Sequence, residues 1–371
     1  MRVIETDYLV VGAGAAGMGF VDVLIDHQQV EMVLVDRRHR PGGHWLDAYP
    51  FVRLHQPSAV YGVASRRLGE DRIDDAGPNA GFYERATAAA VCDYYERVLE
   101  DRLVRSGQAR FLGMHDYVGA DGDGHHLVSL TNGAHTVVKV RRRLVDATYI
   151  ASEIPARRLP PYSVERGARV VAPNALVELD AAPSGFTVIG AGKTAMDTCC
   201  WLLNSGVDPD RIRWIRPSDP WVMDRAAVQP LDLVASQMVM QARWVEAIAH
   251  AEDGRDFALR LESHDVLTRL DEKVEPTVWR GAIVSRPELD ALRTVERVER
   301  GRVIGVGTHR IALDGREVAT KSTELHIDCT AAGVPAKGTR PVFEPGRLTM
   351  QHIAVGSAPL SAATIGIVEA L

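Results

Sequence analysis

Residues 10–18 read VVGAGAAGM and residues 188–196 read VIGAGKTAM. Each copy follows a short apolar run, Asp7 to Val11 and Phe186 to Ile189, and each opens a helical pattern. Strand, glycine-rich turn and helix form the context in which G-x-G-x-x-G binds a dinucleotide. In the first copy Gly12 permits the tight turn, Gly14 lets the backbone approach a pyrophosphate, and Gly17 lets the helix pack on the strand. The turn through Ala15 and Ala16 then offers free N–H groups and the positive end of a helix to the phosphates. The next strand, Met32 to Val35, ends at Asp36, about 20 residues on, where an acid takes ribose hydroxyls. Arg37 follows it and joins the expected site.

The second copy carries Gly190, Gly192 and Ala195, and alanine is an accepted third residue. Its next strand, Arg211 to Ile215, ends in Arg216 where the first ends in an acid. An arginine there fits a 2′-phosphate, which favours NADP over NAD. Lys193 and Thr194 lie within the loop, and Lys193 adds a cation near the phosphates.

Two dinucleotide folds in one chain imply one FAD and one NAD(P). A second echo supports an interleaved layout: LVDAT at 144–148 and HIDCT at 326–330 both end a short apolar strand in Asp-x-Thr. The expected fold class is α/β, with two three-layer Rossmann-type dinucleotide-binding domains, the second inserted in the first. The boundaries read as 1–150 for the first part of the FAD domain, 151–300 for the NAD(P) domain with a helical insertion about 222–270, and 301–371 for the return.

Other segments fit this layout. Residues 85–105 carry apolar positions at helical spacing. Strands Leu127 to Leu130 and Thr136 to Val140 flank Asn132-Gly133, a hairpin signal. Residues 222–250 read as helix interrupted by Pro230, and 302–306, 309–313 and 316–319 as short strands. Asp74 to Gly81 is rich in turn residues and reads either as a surface excursion or as a substrate lid.

Composition narrows the function class. The chain has 371 residues, 43 Lys and Arg against 49 Asp and Glu, and a formal charge of −6. With no basic tail, nucleic acid is not an expected partner. No apolar run approaches about 18 residues, so no membrane span is expected. MRVIETDYLVVGAG at the start reads as strand and loop without a signal-peptide layout. The four cysteines, Cys92, Cys199, Cys200 and Cys329, make no C-x-x-C pair and read as reduced thiols of a cytoplasmic protein. No metal site is expected. A small-molecule substrate is, and a homodimer is compatible with all of this.

PGGHWLDAYPFVRLHQPS at 41–58, taken with the two glycine loops, resembles the class B flavoprotein monooxygenases. These are the flavin-containing and Baeyer–Villiger monooxygenases. The matches to their GG-x-W, Tyr-Pro and Arg pattern are Gly42, Gly43, Trp45, Tyr49, Pro50 and Arg53. IRWIRPSDPW at 212–221 resembles the family's second strand with its Arg and Trp, and the Asp-x-Thr echoes resemble its domain-crossing motifs. The likeness spans most of 1–225 and returns at 326–333. It implies that Gly43, His44 and Trp45 run past the flavin, and that His44, Arg53 and His55 are the catalytic candidates. It further implies an FAD enzyme that takes hydride from NADPH and oxygenates a nitrogen, sulfur or carbonyl group through a flavin C4a-hydroperoxide.

The sequence departs from the family at several points: His55 stands near the family's Asp or Asn, and Ala147-Thr148-Tyr149 and Cys329-Thr330-Ala331 replace its ATG motifs. VERGARVVAPNAL at 164–176 holds no F-x-G-x-H. A flavin dehydrogenase, oxidase or reductase without oxygenation is therefore the rival reading, and a non-catalytic dinucleotide sensor is the third. The terminal stretch GSAPLSAATIGIVEAL reads as a helix capped by Ser361, whose dipole would favour negative charge on a reduced flavin.

Overall fold

The computed structural model describes residues 2–331, 333, 337–353 and 356–371. Ala332, inside the C-terminal stretch of family likeness, lies outside the described residues. The chain forms a mixed α/β structure built on two largely parallel sheets.

The first sheet has eight strands. Its path runs Phe343–Glu344, Arg347–Thr349, His135–Asp146, Arg2–Val11, Met32–Val35, Ala109–Leu112. Parallel pairs join Arg2–Val11 to both its neighbours. Met32–Val35 is buried on both faces, as a strand covered above and below requires. One cover is the helix Ala15–His27, which packs on the terminal helix Ala358–Ala370 through small residues. A Cβ at Gly19 would sit 3.1 Å from the Pro359 carbonyl oxygen. The Asn132-Gly133 hairpin forms, with Gly133 at φ 71, between Gly124–Ser129 and His135–Asp146.

The second sheet has five parallel strands in the order Val298–Arg300, Ile212–Arg216, Phe186–Ile189, Leu325–Asp328, Val170–Val171. Its three central strands are wholly buried. Two smaller sheets flank it, one built on Pro220–Asp224 and one on Val303–Val306.

Several expectations change. Residues 220–224 form a strand rather than the start of a helix, because PWVMD is buried along its whole length between two apolar clusters. The helix begins only at Val234, past Pro230. Strands 303–306, 310–313 and 316–319 form where expected and pair in that order, but the first of them also pairs with Ser163–Val164, and Leu325–Asp328 pairs with Phe186–Ile189. Pairing with the first sheet resumes at 347–349. The helix expected over 85–105 starts at Ala88, capped by Thr87, and widens into a π turn over Leu99–Val104. The terminal helix is capped by Ser357 rather than Ser361. Ser357 Oγ accepts the Leu360 N–H at 3.3 Å. The loop at 74–81 is largely exposed and is tied within itself: buried Asn79 donates to Asp74 at 2.7 Å and to the Tyr83 carbonyl at 3.1 Å.

Candidate functional site

Both glycine loops open into one cavity of about 990 Å³, which Gly12, Gly14, Gly190 and Gly192 all line. Gly12 holds φ +105 and Gly190 φ +136, values that ordinary side chains rarely adopt. A Cβ at Gly190 would lie 2.6 Å from the Cys329 carbonyl oxygen. Gly17 and Ala195 do not face the cavity; they seat each helix on its strand. A Cβ on Gly17 would come within 1.9 Å of the Gly12 oxygen.

The residues fit a dinucleotide pyrophosphate at each loop. Helix Ala15–His27 has Gly14 at its N-cap, and helix Lys193–Asn204 has Gly192; neither has a side-chain cap or an acid in its first turn. Their first N–H groups and helix dipoles are thus left for an anion. A Cβ on Gly192 would meet nothing within 4 Å, so the second loop is open. Ala15, Ala16 and Thr194 line the cavity as expected.

Asp36 also lines it. Its Oδ2 accepts the Ala13 N–H at 2.7 Å and its Oδ1 the Arg38 N–H at 2.8 Å. Each oxygen keeps a lone pair for a hydroxyl donor. Arg37 does not reach the cavity: its exposed guanidinium turns to Asp116, at 3.3 Å. Arg38, its neighbour, does line the cavity, and Asp47 holds it, with Nε at 3.0 Å.

The segment from Gly43 crosses between the loops. Gly43, at φ +59, lies against the first loop so closely that a Cβ would stand 3.0 Å from Gly14 Cα. His44 and Trp45 follow on the cavity wall, their rings 4.9 Å apart and tilted by 33°. His55 lines the same cavity. Burial lowers His44 to about 4, with Arg38 adding to the effect. Burial also lowers His55 to about 4, with Lys193, Arg85 and Arg225 disfavouring its cation. Both imidazoles are therefore neutral near pH 7, able to donate or accept a hydrogen bond without carrying charge.

Two expected residues are displaced by partners elsewhere. Arg53 is exposed and donates to the Arg85 carbonyl at 3.1 Å, off the cavity. Arg216 is buried beneath the second loop, paired with Asp219 at 3.0 Å and stacked 4.8 Å from the Trp214 ring. Arg216 does not line the cavity. Arg280 and Arg302 line the cavity instead, both exposed. Nothing in their local spacing marks them, because they arrive from other strands.

Sequence reasoning also missed Tyr49 and Asp197 as a pair. Tyr49 Oη donates to Asp197 Oδ2 at 2.7 Å, and Lys193 pairs with Asp197 Oδ1 one helical turn away. The i, i+4 spacing of Lys193 and Asp197 was the available signal. Beside them, Glu288 takes Arg85 at 3.0 Å and Arg225 at 2.6 Å. Burial acts to raise Glu288, but Lys193, Arg225 and Arg85 outweigh it and bring it to about 2. Among the described residues, no group of three or more His, Cys, Asp or Glu is placed to hold a metal ion, and no helix is long and apolar enough to cross a membrane.

No family model matches the chain. "Uncharacterized protein Rv2000" of Mycobacterium tuberculosis is 44% identical over 370 residues, covering 99% of this chain and 68% of that protein. A flavin-containing monooxygenase from Stenotrophomonas maltophilia superposes with TM-score 0.57 at 15% identity, over 99% of each chain. A steroid monooxygenase bound to NADP gives TM-score 0.54 at 15% identity, over 89% of this chain and 72% of that one. The fold is that of the class B flavoprotein monooxygenases, as the motifs implied.

Proposed function

We propose that this chain, which belongs to one family with the mycobacterial Rv2000 protein, is an FAD-dependent oxidoreductase that uses NADPH to oxygenate a small molecule. The observation that carries the reading is the single cavity shared by two uncapped helix N-termini, each behind its own glycine loop. The flavin, when bound, supplies the redox chemistry. The chain's own residues bind, orient and exclude water. Ala15 and Ala16 N–H groups take the FAD pyrophosphate, and Asp36 takes ribose hydroxyls. Gly43, His44 and Trp45 wall the cofactor. Neutral His55 offers a ring N–H or lone pair where the two loops face each other. Gly190, Gly192, Lys193 and Thr194 receive the nicotinamide nucleotide, and Arg280 and Arg302 favour its 2′-phosphate in place of Arg216.

We read the second dinucleotide unit as inserted in the first, with the return after Asp328, because the strand pairings change partners there. The protein acts in the cytoplasm in this reading.

The test is purification with bound FAD, anaerobic addition of NADPH or NADH, and then labelled dioxygen with candidate amines, sulfides and ketones. Bleaching of the flavin that is faster with NADPH, followed by label in the product, is the expected result. The rival without oxygenation rests on the 164–176 stretch, which forms the short strands Ser163–Val164 and Val170–Val171 and the start of the 3₁₀ helix Pro173–Glu178. It predicts bleaching with no label in the product. Binding of both nucleotides with no bleaching would leave a dinucleotide sensor.

A further inference from the structure

The segment after Trp45 docks on the second unit through several contacts. The Asn174 side-chain amide donates to the Asp47 and Ala48 carbonyls at 3.1 and 3.2 Å. Phe51 stacks on Trp201 at 4.9 Å and 22°. These contacts make a firm joint, but Asn174, Phe51 and Trp201 do not line the cavity. One polar chain does. It runs from Tyr49 through Asp197 to Lys193, and both of its ends are on the cavity wall.

The chain's two ends belong to different segments. Lys193 is the first residue of the helix behind Gly192. Tyr49 lies four residues beyond Trp45, in the segment that starts at Gly43 against the first loop. The Lys193 and Asp197 side chains retain only 7% and 16% of their exposure, so their attraction is little screened. A phosphate arriving at the bare helix N-terminus competes with Asp197 for the Lys193 ammonium. As Lys193 turns to the phosphate, Asp197 loses its cation and keeps one strong donor, the Tyr49 hydroxyl. A charged acceptor draws that hydrogen bond tighter.

We propose that Asp197 is a positioning residue that transmits nucleotide occupancy at the second loop, through Tyr49, to the flavin-facing segment 43–49. The proposal rests on the reading that FAD and a nicotinamide dinucleotide share this cavity. It makes an unusual sign prediction. Asp197 restrains Lys193 in the nucleotide-free state, so removing its charge strengthens phosphate binding while breaking the link to the flavin.

The experiment uses the FAD-loaded protein and NADP⁺ as the probe, with the wild type, D197N and Y49F compared. Calorimetry gives the NADP⁺ dissociation constant, and the flavin difference spectrum on titration gives the transmitted effect. D197N is expected to bind NADP⁺ about fivefold more tightly, within the usual span of coupling between sites. Its flavin difference spectrum should fall to less than about half the wild-type amplitude. Y49F, which leaves the Lys193–Asp197 pair intact, is expected to keep NADP⁺ affinity within about twofold and lose the same amplitude. A structural role alone would not tighten binding. Full amplitude in Y49F, or unchanged or weaker binding in D197N, overturns the proposal. If D197N does not fold, the Y49F amplitude decides. Wild-type protein that binds no NADP⁺ by calorimetry overturns the functional reading itself, and the proposal with it.

Discussion

The carboxylate of Asp36 closes back on the glycine loop: its Oδ2 accepts the backbone N–H of Ala13 at 2.7 Å. The acid at the end of the second strand thus does two jobs. It fixes the loop that precedes the helix, and it keeps free lone pairs toward the cavity. Asp36→Ala removes both, leaving a buried N–H without a partner at a cost of about 1–3 kcal/mol. FAD retention is expected to fall by about ten- to a hundredfold. Asp36→Asn keeps an acceptor for Ala13 and should recover part of that loss. Fluorescence titration of flavin into stripped protein measures it.

The two loops differ in what their glycines resist. Gly17→Ala would bring a Cβ within 1.9 Å of the Gly12 oxygen, and backbone on both sides must move. A melting temperature lowered by several degrees, equivalent to about 1–3 kcal/mol, is expected. Gly192→Ala meets nothing within 4 Å and holds φ −88, so its stability should change by less than about 0.5 kcal/mol. Its cost appears only where backbone must approach a phosphate, as a raised NADPH dissociation constant. Equal loss of stability in both variants would contradict the geometry.

Gly17 and Ala195 also show how far the sequence could be read. The strand–turn–helix units were legible because turn, helix start and packing contact fall within about ten consecutive residues. The strand at 220–224 was not, because a short run buried on both faces carries no periodicity of its own. Strands 303–319 were placed in order, yet their partner at 163–164 is remote in the chain and invisible to local pattern. The site followed the same rule. Asp36 and the glycines were found from spacing, whereas Arg280, Arg302 and the Tyr49–Asp197 contact depend on which strands meet. Arg216 ends its strand as the pattern requires, but strand-end position says nothing about Asp219, three residues on, with which it pairs away from the cavity wall.

Arg216 and Arg302 should therefore separate in mutants. Arg302→Ala is expected to fold normally and to weaken NADPH relative to NADH by about tenfold, the loss of one charged phosphate contact. Arg216→Ala leaves buried Asp219 with Arg300 as its cation, at 2.8 Å, and strips the Trp214 ring of its stacking partner. A stability loss of about 2–4 kcal/mol is expected, with little change in the NADPH to NADH ratio of whatever folds. Denaturant midpoints and steady-state ratios for the two cofactors distinguish the residues. An unchanged ratio in Arg302→Ala would return the 2′-phosphate assignment to Arg280 alone.

The neutral histidines predict how stability depends on pH. Burial holds His44 and His55 near 4, below the ordinary value of 6.5. Between those values the unfolded chain binds protons that the folded chain refuses, so stability rises with pH. The contribution is complete above about 6.5 and is lost as pH falls toward 4. At pH 5 each histidine costs on the order of 1–2 kcal/mol relative to pH 7.5. Burial lowers His326 as well, and it acts in the same direction. Glu288, brought to about 2, keeps its carboxylate charged throughout it. Urea midpoints measured from pH 7.5 down to 5 should therefore fall for the wild type. They should fall less steeply in His55→Asn, which cannot take up a proton in either state. An identical slope in that variant would mean that His55 takes up its proton as readily in the folded protein as in the unfolded chain, and that burial and the Lys193, Arg85 and Arg225 cluster do not hold it neutral.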